Sequence, residues 1–212
     1  MKTILITAVT ILIITSCTQK KEFLFNGKDL NNWTIYLEDE NVNPEDFFYV
    51  KDGVIETAGI PAGYIRTNKE YSNYVLHIEW RYPENPTNSG ILLHATKPDT
   101  IWISHYQAQL KHKNAGDFIV HGIGRRATVG DSVCVSTANV KPLIAKLNDS
   151  NEKEAGEWNT FDIMCKDNTI EIKVNGLLQN KAYDCSITKG SIGMQAEGSR
   201  IQFRNLWIMD IE

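Results

Sequence analysis

The 212-residue chain has almost no helical periodicity. After residue 23, apolar residues at i, i+3, i+4 spacing are nearly absent, which argues against a helical bundle and against βαβ units. No Lys/Arg-rich run is present, and with 22 basic and 26 acidic residues the formal net charge is −4, so nucleic acid is not an expected partner. The apolar run ILITAVTILII at 4–14 falls short of the roughly 20 residues a spanning helix needs. Cysteine is scarce. Its four copies form no CxxC or Cys/His pattern, so no zinc site is expected from them. Beyond Cys17 stand Cys134, Cys165 and Cys185; an oxidising compartment would pair two and leave one over, and spacing does not choose the pair. All three are taken as structural.

What is present begins with a processing signal. Lys2, the apolar run and then Thr15-Ser16-Cys17 resemble the lipobox of bacterial lipoproteins. That resemblance implies removal of residues 1–16, a lipid on Cys17 and an address in the bacterial cell envelope. Membrane contact is then expected through the lipid alone. The alternative is an ordinary secretory signal cut nearby. Residues 17–22 are expected to form a tether and 23–212 one domain. The Asn148-Asp149-Ser150 sequon is read as chance in such a protein.

Most of the remainder alternates with period two. Strands are expected over 47–59, 74–82, 89–96, 102–112, 117–122, 160–167, 169–176, 191–198 and 200–210. Asp52-Gly53, Asp167-Asn168 and Asn175-Gly176 supply turns between several of them. Many short strands with no helix between them predict an all-β sandwich or jelly roll. The polar stretch 123–158 is expected to be irregular.

Alternation also sorts side chains by face. In HYQAQLKHKNAGDFIVHG (105–122), Tyr106, Ala108 and Leu110 share one side, and His105, Gln107, Gln109 and Lys111 the other. Elsewhere His77, Glu79 and Arg81 share a face, His94 falls with Leu92, and Gln195 with Glu197. An antiparallel sheet ordinarily has a wet side, and Asp162, Lys166, Glu171 and Lys173 fit that description. Faces rich in Gln and His fit a cleft better, because planar amides, carboxylates and Arg donate to and accept from sugar hydroxyls in fixed geometry. Trp102 could stack on a sugar ring.

Several strings carry a family resemblance. FLFNGKDLNNW (23–33), TNSGILLHA (87–95), YQAQL and NAGDF (106–118), GEWNTFDI (156–163), VNG (174–176) and GSIGMQAEGSRIQFRNLWI (190–208) occur in this order. Together they resemble the DUF1080 family, also named 3-keto-disaccharide hydrolases, in its NAGDF-containing subgroup. The resemblance covers essentially all of the chain beyond Cys17. It implies a concanavalin A-like jelly roll of two antiparallel sheets and a carbohydrate substrate. It further implies hydrolysis of glycosides oxidised at C3, by loss of the C2 proton, departure of the C1 group and hydration. Related jelly-roll glucanases carry an ExDxxE strand, which this chain lacks.

Matched position by position, the resemblance points to Glu79 or Glu197 as the base and His94 as an acid or enolate stabiliser, with His121 an alternative titratable group. Arg81, Asn88, Gln107, Gln109, Lys111, Asp117, His121 and Gln195 are the expected substrate contacts; Asp117 can equally be a turn residue. Arg204 matches "FRN" and is read as structural. Gln107 replaces the family's Glu, and an amide is neither a general base nor an anionic ligand. No metal ligand is assigned, although the family leaves room for a divalent cation. Two rivals remain: a non-catalytic carbohydrate-binding lipoprotein on the same fold, and a structural lipoprotein whose polar faces lie on different sheets.

Overall fold

The computed structural model describes residues 20–211, so Cys17 and the leader before it lie outside the described residues. In chain order the first strands are β1 (Lys21–Phe23), β2 (Trp33–Leu37), β3 (Phe48–Lys51), β4 (Val54–Thr57), β5 (Gly63–Thr67), β6 (Tyr74–Arg81), β7 (Gly90–Thr96), β8 (Ser104–Gln109) and β9 (Phe118–His121). They continue as β10 (Arg126–Val129), β11 (Ser132–Val135), β12 (Leu143–Ile144), β13 (Asn159–Lys166), β14 (Thr169–Val174), β15 (Leu177–Tyr183), β16 (Ser191–Ala196) and β17 (Ile201–Asp210). Among the described residues the only helix is one turn, α1 (Pro44–Phe47), capped by the Asn43 side chain.

The strands form two antiparallel sheets. The larger runs β11-β10-β15-β14-β13-β6-β17-β4-β3, with β1 also on β17; the smaller runs β12-β9-β8-β7-β16-β5-β2. Residues 21 and 22, expected in a tether, are therefore part of the sheet. Asp52 and Gly53 both take positive φ, 51° and 75°, and close the β3–β4 hairpin as a tight turn whose twist suits the flanking strands.

One apolar cluster is drawn from both sheets. In β6, Tyr74, Leu76, Ile78 and Trp80 are buried while the residues between them are not. Across the sandwich, β8 contributes Tyr106 and Ala108. The stretch 123–158 is less irregular than its composition suggests, since it contains β10, β11 and β12. Strand β5 shows no alternation because both of its faces are covered: Tyr64 packs outside the main core with Leu92, Ala95 and Ile103.

His94 departs from its expected face. The pairing of β7 with β8 slips between Leu93 and Thr96, and His94 takes a left-handed φ of 48°. The extra residue turns the imidazole into the core, edge-on to Tyr74 and Tyr106 at 5.8 and 6.5 Å. Its Nδ1–H donates to the Ile187 carbonyl at 3.2 Å, and Nε2 has no partner. His94 is thus a core residue and not the acid expected from the sequence.

Burial lowers the His94 pKa to about 4, with the Arg125 charge adding to the effect. Below pH 6.5 the unfolded chain protonates this ring, while the folded chain refuses the proton until about pH 4. Stability therefore falls as pH drops through that window, by about 3 kcal/mol at about 1.4 kcal/mol per pKa unit. Thermal melts between pH 7 and 4 should show a smaller decline in Tm for His94→Asn, which tolerates the left-handed backbone, than for the wild type. Equal slopes would contradict the buried neutral imidazole.

Candidate functional site

The outward face of the smaller sheet carries a groove of about 240 Å³, lined by Asn88, Trp102, His105, Gln107, Gln109, Ile119, His121, Lys141, Gln195 and Glu197. The register places these side chains in rows. Gly90 pairs with Gln109 on one side, and Met194 pairs with Ile91 on the other, so Gln109, Gly90 and Gln195 lie side by side. Leu92, Gln107 and Ile119 form the next row, and His105 pairs with His121 in the row beyond. At the opposite end Asn88 and Glu197 form a β-bridge.

Gly90 matters because it leaves a gap. A Cβ there would stand 2.2 Å from the Gln107 side-chain nitrogen. The Gln107 carboxamide lies across that gap and reaches both flanking glutamines, donating to Gln109 Oε1 and to Gln195 Oε1, each at 3.0 Å.

The polarity of this amide chain is set at its ends. Gln109 Oε1 also accepts the backbone N–H of Leu110 at 3.0 Å and of Lys111 at 3.3 Å, so it must be an oxygen. Gln195 Nε2 donates to Glu197 Oε2 at 2.7 Å, and Asn88 Nδ2 donates to the same atom at 2.8 Å. One carboxylate oxygen is thereby fixed by two donors. Glu197 Oε1 keeps its lone pairs free of any partner among the described residues. Gln109 Nε2 likewise remains an unused donor.

At the other end the Ile103 carbonyl accepts from His121 Nδ1 at 3.1 Å and His105 Nδ1 at 2.5 Å. His121 therefore presents Nε2 as an acceptor. Burial, with the Lys141 and Arg125 charges adding to it, lowers the His121 pKa and keeps the ring neutral near pH 7. His105 Nε2 lies 3.0 Å from Gln107 Oε1; burial lowers the ring's pKa to about 4, so it is neutral and its single proton, on Nδ1, serves the Ile103 carbonyl alone.

This geometry sits on a chain whose residues 20–209 match the 3-keto-alpha-glucoside-1,2-lyase-like domain. The chain belongs to that family. Among curated proteins none matches. Among solved structures, a Parabacteroides distasonis ATCC 8503 protein provisionally named a glycosyl hydrolase is 23% identical with a TM-score of 0.65, covering 91% of this chain and 100% of that one. A Bacillus licheniformis beta-glucanase is 13% identical with a TM-score of 0.60, over 93% of this chain and 100% of that one. The carbohydrate binding module CBM66 from Bacillus subtilis is 10% identical with a TM-score of 0.55, over 84% and 96%. These likenesses establish the concanavalin-like jelly-roll sandwich.

Within this lyase-like domain the expected site residues divide. Asn88, Gln107, Gln109, His121, Gln195 and Glu197 converge on the groove. Glu79 and Arg81 do not, because β6 belongs to the larger sheet and their side chains point outward from it. Glu79 accepts from Arg204 Nε at 2.6 Å and Asn205 Nδ2 at 3.0 Å. Burial raises its pKa, but these two donors outweigh burial and leave the carboxyl below its ordinary value. Arg81 donates to Gln202 at 2.7 Å and to the Gly156 carbonyl at 3.1 Å. Lys111 lies past the end of β8, where its backbone N–H caps Gln109 and its side chain is exposed. Asp117 accepts the Lys146 backbone N–H at 2.9 Å and pins the loop, so it is the turn residue of the two alternatives.

Sequence reasoning did not name Lys141 or Ile119. Lys141 lies in the stretch expected to be irregular, and Pro142 beside it accepts the Val120 N–H, which carries the lysine to the groove. No sequence signal marks it. Among the described residues no group of three or more His, Cys, Asp or Glu could hold a metal ion. A wider groove of about 660 Å³ runs between β2 and α1; of its two acids, Asp29 is tied to Asn26 and the Asn31 N–H, and Glu45 is exposed.

Gly90→Ala should push Gln107 off both glutamines. Expected are a loss of about 1–3 kcal/mol in urea unfolding and a reduced glycoside-directed activity. Gly63→Ala meets the Tyr36 carbonyl at 2.5 Å on β5, a strand that contributes no groove residue, and is the control for strain alone. Wild-type activity in Gly90→Ala would contradict the role of the gap.

Proposed function

We propose that this lyase-like domain hydrolyses glycosides already oxidised at C3, by elimination followed by hydration. The observation that carries this reading is the asymmetry of Glu197: Oε2 holds two amide donors and Oε1 holds none. Glu197 is also the single carboxylate among the groove-lining residues. A conventional glycosidase works with two opposed carboxylates, whereas elimination from a 3-keto sugar needs one base beside C2.

In this reading Glu197 Oε1 takes the C2 proton, which the neighbouring carbonyl acidifies. The electron pair moves into a C2–C3 enolate, whose oxygen is stabilised by the unused N–H of Gln109. The C1–O bond then breaks and the departing oxygen takes the proton that Glu197 removed, giving the enone and the free alcohol. Water then adds at C1 while Glu197 takes up one of its protons and delivers it to C2, so the sum is hydrolysis and the new C2 hydrogen comes from water. Gln107 and Gln195 hold the carboxylate in place and transfer no proton themselves.

A second reading is a carbohydrate binder without turnover. It is favoured by Gln107, an amide with both donors engaged where the resembled family has a carboxylate. Export with a lipid on Cys17 completes the proposal on the strength of residues 1–17, and the mass of the mature N-terminus is its check.

Incubation with methyl 3-keto-α-glucoside should release 3-ketoglucose. Glu197→Gln should lower kcat about 10²–10⁴-fold, the usual weight of a general base, while Glu79→Gln leaves it nearly unchanged. Saturable binding with no product from the wild type would replace the enzyme with the binder.

A further inference from the structure

The groove is longer than the Glu197 end requires. Gln109 lies four residues beyond His105 on β8, roughly 13 Å at about 3.3 Å per residue. The Asn88–Glu197 bridge is one row further still. A sugar ring placed at Glu197 therefore leaves the His105–His121 end open.

That end has its own wall. Residues 97–103 fold over β5, and two anchors fix them. Asp99 accepts from Arg66 Nε at 2.7 Å and Nη2 at 2.6 Å and from the Tyr64 hydroxyl at 2.9 Å, with Arg66 only 3% exposed. Ile103 packs on Tyr64, Leu92 and Ala95, and its carbonyl holds both histidines. Trp102 stands between these anchors and lines the groove. Its ring is free in a way the other half-buried tryptophans are not. Trp158 carries Arg81 and Arg204 over its ring, and Trp207 carries Lys21 and His77. Among the described residues no aromatic ring or cation covers Trp102.

The same groove is lined by His121, whose Nε2 is an acceptor, and by Lys141, whose amine is a donor. We propose that this end is a second sugar subsite, in which Trp102 stacks on the leaving-group ring of a 3-keto-disaccharide while His121 and Lys141 bind its hydroxyls. A flat apolar ring flanked by one acceptor and one donor matches a pyranose, which offers a C–H face and a rim of hydroxyls. Arg66 and Asp99 are positioning residues for Trp102, and the preorganised wall lowers the cost of binding. The subsite rests on the proposed reaction for its role, but its binding is independent of turnover.

The test compares 3-keto-trehalose with methyl 3-keto-α-glucoside, which lacks the second ring. Trp102→Ala should lower kcat/KM for the disaccharide about tenfold, chiefly through KM, and change the methyl glycoside less than about threefold. Trp102→Phe should keep most of the disaccharide activity, which separates lost stacking from a misfolded wall. Asp99→Asn should reproduce the KM effect in weaker form. Equal losses on both substrates, or none on either, would overturn the proposal. Should the wild type turn over neither sugar, the proposed reaction fails alone, and calorimetric titration with 3-keto-trehalose decides the subsite. Binding about tenfold weaker in Trp102→Ala supports it, and unchanged binding overturns it.

Discussion

The site depends on one contact, the Gln107 carboxamide lying across Gly90. The strand beside it has no side chain at that position, so the amide bridges from Gln109 on its own strand to Gln195 two strands away. Every later bond follows from this one. Because two backbone N–H groups fix Gln109 Oε1 as an acceptor, Gln107 must donate toward both neighbours, and Gln195 must donate toward Glu197. The result is a carboxylate held rigidly at one oxygen. Such a chain has value only when complete, since a buried amide left without a partner costs about 1–3 kcal/mol.

The larger sheet uses its outer polar groups differently. Glu79 pairs with Arg204, His77 with Asp162 at 2.7 Å, and Arg81 with Gln202. Cations or rings cover both half-buried tryptophans on that side. Exposed ion pairs of this kind add little stability, but they occupy both oxygens of Glu79, which Arg204 and Asn205 share. The smaller sheet keeps Glu197 Oε1, Gln109 Nε2 and His121 Nε2 unpaired, and that contrast separates a braced surface from a binding one.

Much of this was legible in the sequence. Period-two patterns located β6, β13 and β17 within a residue and sorted the faces of β6 and β8 correctly. The motif blocks identified the family and drew attention to Gln195 and Glu197. Sheet membership was not legible, because pairing is decided by partners far away in the chain. Glu79 thus looked equivalent to Glu197 until β6 was found between β13 and β17. His94 misled because one extra residue in β7 reverses a face, and no local pattern announces such a slip. Strand β5 went unnoticed because residues 97–103 bury the face that would otherwise have been polar.

In the proposed reaction the one carboxylate of the groove suffices because the substrate supplies part of its own activation: the C3 ketone acidifies the C2 proton next to the scissile carbon. The central claim is that Glu197 removes the proton at C2. Running the reaction of methyl 3-keto-α-glucoside in D₂O and recording the NMR spectrum of the released sugar addresses it directly. Deuterium at C2 of the product, absent with Glu197→Gln, is the predicted result. Product that retains its original C2 hydrogen would contradict the account.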